Sequence, residues 1–310
     1  KYKLLLIAIG LVGTLLVFIS TIHYDAGLSP DSVKYISVAR NLSNGRGFTK
    51  YNGKPIIRWA PLYPSALAFL GIISGSDPLN IADILNAIIF GSIIYLSGLL
   101  AFRLFRANSL MAILTTLAIA FSCVLLSVSR MAWSEPIFIL FSVVSFIFAS
   151  SYIKENDIKS LIFLASGVAL ACLARYIGLI LIVWGIFIIL FLSKHNLKKR
   201  FYHTALFVII SVTPLGLWLI RNYIISNTLT GETAPSSFPL FLNLSLVFNS
   251  TMRFYIPPKI TQHPAILITG FAVAGFLSGL SVRDGIRTTI HELKPISPLI
   301  IFIAFYVAAL

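Results

Sequence analysis

Ten carboxylates are spread over 310 residues, and Asp25, Asp31 and Glu135 fall beside the ends of long apolar runs. A carboxylate fixed at such a boundary, within reach of a hydroxyl, can take its proton as a general base. Two arginines occupy comparable positions. Arg175 interrupts 33 residues between Lys159 and Lys194 that otherwise carry no charge, and Arg221 closes another apolar run. A guanidinium suits bidentate contact with phosphate or carboxylate, so these positions point to anion binding or ion pairing. Simpler readings stand beside the chemical ones. Asp31 in the first turn of a helix would complement the helix dipole, and Arg221 at a span end would snorkel to the interface. The other acidic residues fit solvated or turn positions: Glu155, Asp157, Asp284 and Glu292 in loops on one side, Asp77 and Asp83 at the start of a span, and Glu232 in a loop on the other side.

The elements that must position these groups are membrane helices. Apolar residues make up 58% of the chain and charged residues 11%, with mean hydropathy +0.93, too little charge to cover a soluble domain of this size. Uncharged runs of 17 to 21 residues cover Leu4–Ile22, Ile84–Phe102, Ser109–Ser129, Pro136–Ile153, Tyr176–Ser193, Thr204–Ile220 and Pro264–Val282. Each matches the roughly 20 residues that cross a bilayer core. Pro61–Ser76, Leu161–Ala174 and Ile296–Leu310 are shorter runs. The expected fold is an all-α integral membrane protein of about nine transmembrane helices, a single polytopic domain over 1–310. The Lys1 start and the apolar Leu310 end read as a piece of a longer chain. Cys123 and Cys172, both inside apolar runs, read as packing residues.

Lysine and arginine placement sets the sidedness. The cluster Lys194, Lys198, Lys199 and Arg200 marks the inside face. Alternation from it requires Leu161–Ala174 and Tyr176–Ser193 to be separate crossings, and Pro61–Ser76 to dip rather than cross. Residues 23–60 then form the first extracytoplasmic loop and 226–263 a later one. The first loop carries Lys34, Arg40, Arg46, Lys50, Lys54 and Arg58, against the usual bias. Anionic headgroups or a phosphate-bearing ligand would each account for that charge. The net charge of +14 fits both; without a soluble domain to hold it, nucleic acid is not the expected partner.

Within that loop, Asp31, Tyr35, Ala39, Leu42 and Gly45 recur at spacings of 4, 4, 3 and 3, one stripe of a short amphipathic helix at the membrane surface. Ser29 suits its cap, Pro30 its first turn and Gly45 its exit. Arg58-Trp59-Ala60-Pro61-Leu62-Tyr63-Pro64 describes a rigid interfacial turn. This pattern, Asp31-x3-Tyr35-x3-Ala39-x2-Leu42-x2-Gly45 and then the Trp59–Pro64 turn, resembles the first extracytoplasmic loop of GT-C glycosyltransferases. It is most similar to the bacterial branch related to protein O-mannosyltransferases and aminoarabinose transferases. Ser134-Glu135-Pro136 resembles that family's second acidic position. Leu173–Leu179, with Arg175 and Tyr176, resembles its short outside turn, and Trp218–Tyr223 followed by Thr230-Gly231 the outside end of a later span. One departure is Ser32, where many relatives carry Glu after the loop aspartate, so no metal site is carried over.

The resemblance implies a polyprenyl-phosphate sugar donor and a catalytic aspartate at Asp31, with Glu135 orienting the acceptor or the partners of Asp31. It implies substrate contacts from Tyr35, Arg58, Arg175, Tyr176, Arg221 and Asn222. The expected reaction moves the sugar to an acceptor hydroxyl on a lipid, glycan or protein, at the extracytoplasmic face of the plasma (inner) membrane. No cofactor is called for by spacing: the five histidines do not cluster, although a divalent cation assists some GT-C enzymes. A transporter or lipid flippase, and a catalytically silent GT-C-like scaffold, are the alternatives.

Overall fold

The computed structural model describes residues 2–105, 108–231, 239, 242 and 245–246. The expected spans at Pro264–Val282 and Ile296–Leu310, and nearly all of the 226–263 loop, lie outside the described residues. Ten α-helices follow one another: α1 (Tyr2–Thr21), α2 (Pro30–Ser43), α3 (Leu62–Ser74), α4 (Pro78–Leu104), α5 (Ser109–Ala120), α6 (Cys123–Ser129), α7 (Glu135–Glu155), α8 (Ile158–Ala174), α9 (Leu179–Phe187) and α10 (Leu197–Ser226). Apart from Cys123 and Val124 they belong to one compact unit, residues 1–121 and 125–233.

Helices α1, α4, α7 and α10 are each long and apolar enough to cross a membrane. The expected span Ser109–Ser129 is instead the pair α5 and α6, bent by 56° and counting as a fifth crossing if the pair is one broken span. Segment Tyr176–Ser193 is not one α-helix either. It runs as a 3₁₀ turn (Tyr176–Gly178), then α9, then a π turn (Ile188–Leu192). The 13 residues of α3 are too few to cross.

Caps written in the sequence start half of these helices. Ser29, Asp77, Asn108, Asp157 and Asn196 each accept a backbone N–H from the first turn of the helix that follows. Asp77 therefore does more than form a turn. Its carboxylate also takes two bonds from Arg40 of α2, at 2.8 and 2.9 Å, tying the loop helix to the head of α4. Those bonds hold the Asp77 carboxyl below its usual range. The clamp is thus complete above pH 3.8 and opens as pH falls below it.

Helix α4 is the hub, packing against α1, α3, α5 and α7. Its crossing with α1 depends on the absence of a side chain: a Cβ on Gly91 would sit 2.5 Å from the Gly10 carbonyl oxygen. Backbone cannot yield as a flexible side chain does. Gly91→Val is therefore expected to destabilise the protein by about 1–3 kcal/mol, read as a lower melting temperature in detergent. Gly216→Ala, which meets nothing within 4 Å, is the matched control and should cost nothing.

The middle of the α2 stripe is buried, but against protein. Tyr35 and Ala39 join Tyr63, Leu67 and Ala68 of α3 and Ile81, Ala82, Ile89 and Ile93 of α4 in one core cluster, and Leu42 packs on it. The Tyr35 and Tyr63 rings meet edge to face, with centroids 5.4 Å apart. Of the two cysteines, Cys172 is buried and Cys123 is exposed.

Candidate active site

Two short backbone segments bring Asp31 and Glu135 to the same place. Residues 26–29 lead into α2, residues 131–134 lead into α7, and a two-bond parallel bridge joins them. Gly27 N–H donates to Arg130 O at 2.8 Å, and Ala132 N–H donates to Gly27 O at 3.0 Å. Ser29 adds a third tie. Its hydroxyl caps α2 by accepting Ser32 N–H at 3.3 Å and also accepts the indole N–H of Trp133 at 2.8 Å. Asp31 sits in the first turn of α2 and Glu135 is the first residue of α7.

A polar cluster fills the angle between these helix starts. The Tyr35 hydroxyl and Ser134 Oγ share a hydrogen bond of 3.0 Å, and Arg175 donates to the same Ser134 oxygen at 3.5 Å. Arg175 and Glu135 form an ion pair. Arg175 reaches them because α8 ends there: it is the extended residue (φ −153°) between α8 and the 3₁₀ turn. Burial pushes the Tyr35 phenol from 10.0 up to about 12, outweighing the opposite pull of the Ser134 bond and of Arg175. The neutral phenol's contribution to stability is complete below pH 10 and fades as pH rises towards about 12. Tyr35→Phe keeps the packing and removes the bond, and should cost about 1 kcal/mol in a melting experiment.

The roof comes from the loop between α2 and α3. Residues 48–56 form a small hairpin closed by Lys50 N–H to Lys54 O and Ile56 N–H to Phe48 O, with Gly53 in the left-handed region (φ 72°). Asn41 steadies its first arm through bonds to Thr49 O and Lys50 O. Its second arm is tied to α10. Arg221 donates to Ile56 O at 2.7 Å and lies over the Trp218 ring, while Asn222 donates to Ile57 O and Leu229 O. The Tyr176 hydroxyl donates to Ile57 O at 2.8 Å and accepts the Trp218 indole N–H at 2.9 Å. Beyond this hairpin, Lys34 sits 3.1 Å from Asp31 Oδ1 and 4.0 Å over the Trp59 ring.

Between these walls lies a cleft of about 330 Å³ lined by Ser29, Asp31, Tyr35, Arg58, Trp59, Trp133, Glu135, Arg175 and Tyr176, among others. Six of the eight residues singled out from sequence line it: Asp31, Glu135, Tyr35, Arg58, Arg175 and Tyr176. Arg221 and Asn222 do not. They bond instead to the carbonyls of Ile56, Ile57 and Leu229 and to each other. Asp25, the rival carboxylate, is exposed and not part of the lining. Sequence reasoning missed Ser134, Trp133 and Lys34. Ser134 and Trp133 immediately precede the marked Glu135, and Lys34 lies one turn after Asp31, so proximity was the only available signal. Among the described residues, no three His, Cys, Asp or Glu come together as metal ligands.

The arrangement offers two carboxylates and two guanidiniums facing one partly enclosed space with aromatic walls. A carboxylate can take a proton there, and the cations can hold a departing anion. The family profile described as dolichyl-phosphate-mannose-protein mannosyltransferase matches residues 60–218. That stretch includes Glu135 and Arg175 but begins after Asp31. The solved S. cerevisiae protein O-mannosyltransferase Pmt1–Pmt2 complex, bound to its sugar donor, is similar in fold, with a TM-score of 0.57 at 14% identity. The match covers 75% of this chain and 35% of that one, so the chain spans about a third of that protein's length. No curated protein matches the sequence.

Proposed function

Because the chain belongs to the dolichyl-phosphate-mannose-protein mannosyltransferase family, we propose that it transfers a sugar from a polyprenyl-phosphate carrier to an acceptor hydroxyl. The observation that carries this reading is the single cleft in which Asp31, Glu135, Arg58 and Arg175 meet. The acceptor oxygen forms its bond to the anomeric carbon as the bond from that carbon to the lipid phosphate breaks. Asp31 takes the acceptor's proton, and polyprenyl phosphate leaves with the bonding electron pair. Arg175 and Arg58 meet the charge that develops on the phosphate. Glu135 fixes the Arg175 fork through their ion pair. The yeast complex described with its sugar donor supports the same donor class here.

The span count is read as about nine, with α8 and the Tyr176–Leu192 segment, 17 residues each, taken as short crossings. The cleft then opens on the extracytoplasmic face of the plasma (inner) membrane, opposite the Lys194–Arg200 cluster. The acceptor is a hydroxyl on a lipid, glycan or protein. The test is a panel of radiolabelled polyprenyl-phosphate sugars offered to the purified protein in lipid. Release or transfer of label from at least one donor supports the reading. Absence of both release and donor binding across the panel removes it.

A further inference from the structure

Two buried polar residues of α4 have no part in the chemistry proposed above. Asp83 is 7% exposed and Asn86 is fully buried, three residues apart on one face of the helix. A buried carboxylate in an apolar helix is costly unless something specific is gained. Asp83 Oδ1 has no hydrogen-bond partner among the described residues, whereas Asn86 is bonded across the core. The Asn86 amide donates to Met131 O at 2.6 Å and accepts from the fully buried Tyr63 hydroxyl at 3.4 Å.

Met131 lies in the segment that leads to Glu135 and is joined through Gly27 to the segment that leads to Asp31. Asn86 thus anchors the approach to α7 on α4. Arg40 and Asp77 complete the set by fixing the far turn of α2 to the cap of the same helix. The two approaches are otherwise short loop backbone, held in register by the Gly27 bridge, the Ser29–Trp133 bond and the Tyr35–Ser134 bond.

We propose that Asn86 is a positioning residue: it ties the backbone approach to α7 to α4, the helix to which the Arg40–Asp77 pair clamps α2, and so sets Glu135 against Asp31. This rests on the transferase reading for its kinetic consequence but not for its structural one. A displacement of about 1 Å in a catalytic group can cost on the order of 100-fold in rate. The isosteric Asn86→Asp, which loses the donor to Met131 O, should therefore lower kcat by about that factor, while donor affinity stays near wild type because the Arg58 and Arg175 side chains are retained. Tyr63→Phe keeps the Asn86–Met131 bond and should retain most of the rate, which separates the anchoring bond from the rest of the Asn86 environment.

The experiment is run on the full chain in lipid nanodiscs, with kcat and donor KM measured alongside fluorine NMR of 5-fluorotryptophan-labelled protein. The chain has four tryptophans, and a Trp133→Phe sample assigns the relevant signal. The expected result is a shifted or split Trp133 signal in Asn86→Asp, an unshifted one in Tyr63→Phe, and a fall in kcat that follows the shift. An unmoved signal in Asn86→Asp would overturn the proposal, as would a fall in donor affinity that accounts for the whole rate loss. Should wild type transfer no sugar at all, the transferase reading fails, while the Trp133 signal still decides the anchoring.

Discussion

Asp31→Asn is expected to lower sugar transfer by about 10²–10⁴-fold, the range typical for loss of a general base. The replacement is isosteric and can still accept a hydrogen bond, but it cannot keep the acceptor's proton. Folding should be unaffected, since the Asp31 side chain is 55% exposed and its nearest ionic partner, Lys34, is a surface neighbour one helical turn away. Exposed pairs of that kind contribute little to stability. Donor affinity should also stay near wild type, because the cations proposed to hold the phosphate are Arg58 and Arg175. Asp25→Asn provides the control. Asp25 is exposed and outside the cleft lining, so its loss should leave transfer unchanged.

Arg175→Met should lower kcat by about 10²–10³-fold, the usual cost of removing one preorganised group that meets charge in the transition state. Donor KM should rise as well, since the same guanidinium meets the phosphate before reaction. Arg175→Lys should recover little of either. Lysine keeps the charge, but it lacks the planar guanidinium whose Nη1 meets both Glu135 and Ser134 and whose geometry suits bidentate phosphate contact. Glu135→Gln should have a smaller effect than Arg175→Met, because it leaves the cation in place and removes only what orients it. If Glu135→Gln instead matched Asp31→Asn in severity with donor affinity intact, Glu135 would be the base and Asp31 the helper. Steady-state kinetics of the four variants with labelled donor decide between these assignments.

Much of this site was legible in the sequence for a physical reason. The α2 stripe follows from helical period and from Ser29-Pro30 as a start signal, and those local rules hold in the structure: Ser29 caps, Pro30 opens the helix, and Gly45 takes a left-handed conformation at its exit (φ 71°). Apolar run length likewise anticipated α1, α4, α7 and α10. What escaped is long-range. Nothing local to Arg221 says that its guanidinium meets a carbonyl 165 residues away. Ser134 looks like an ordinary helix-start serine until Tyr35 and Arg175 converge on it. The break between α5 and α6 lies inside an unbroken apolar run, Ser109–Ser129, where hydropathy carries no information about bending. Asp83 was read as a flanking charge at a span start, and only the folded chain shows it buried.

The most direct test of the central claim is a single-turnover experiment in lipid nanodiscs. Wild type and Asp31→Asn are each preloaded with a radiolabelled polyprenyl-phosphate sugar, and bound donor and released sugar are followed together. The expected result is that both proteins hold the donor and only wild type releases or transfers the label. Equal release by both, with equal donor bound, would contradict Asp31 as the base; failure of wild type to bind any donor would contradict the cleft as a glycosyl-phosphate site.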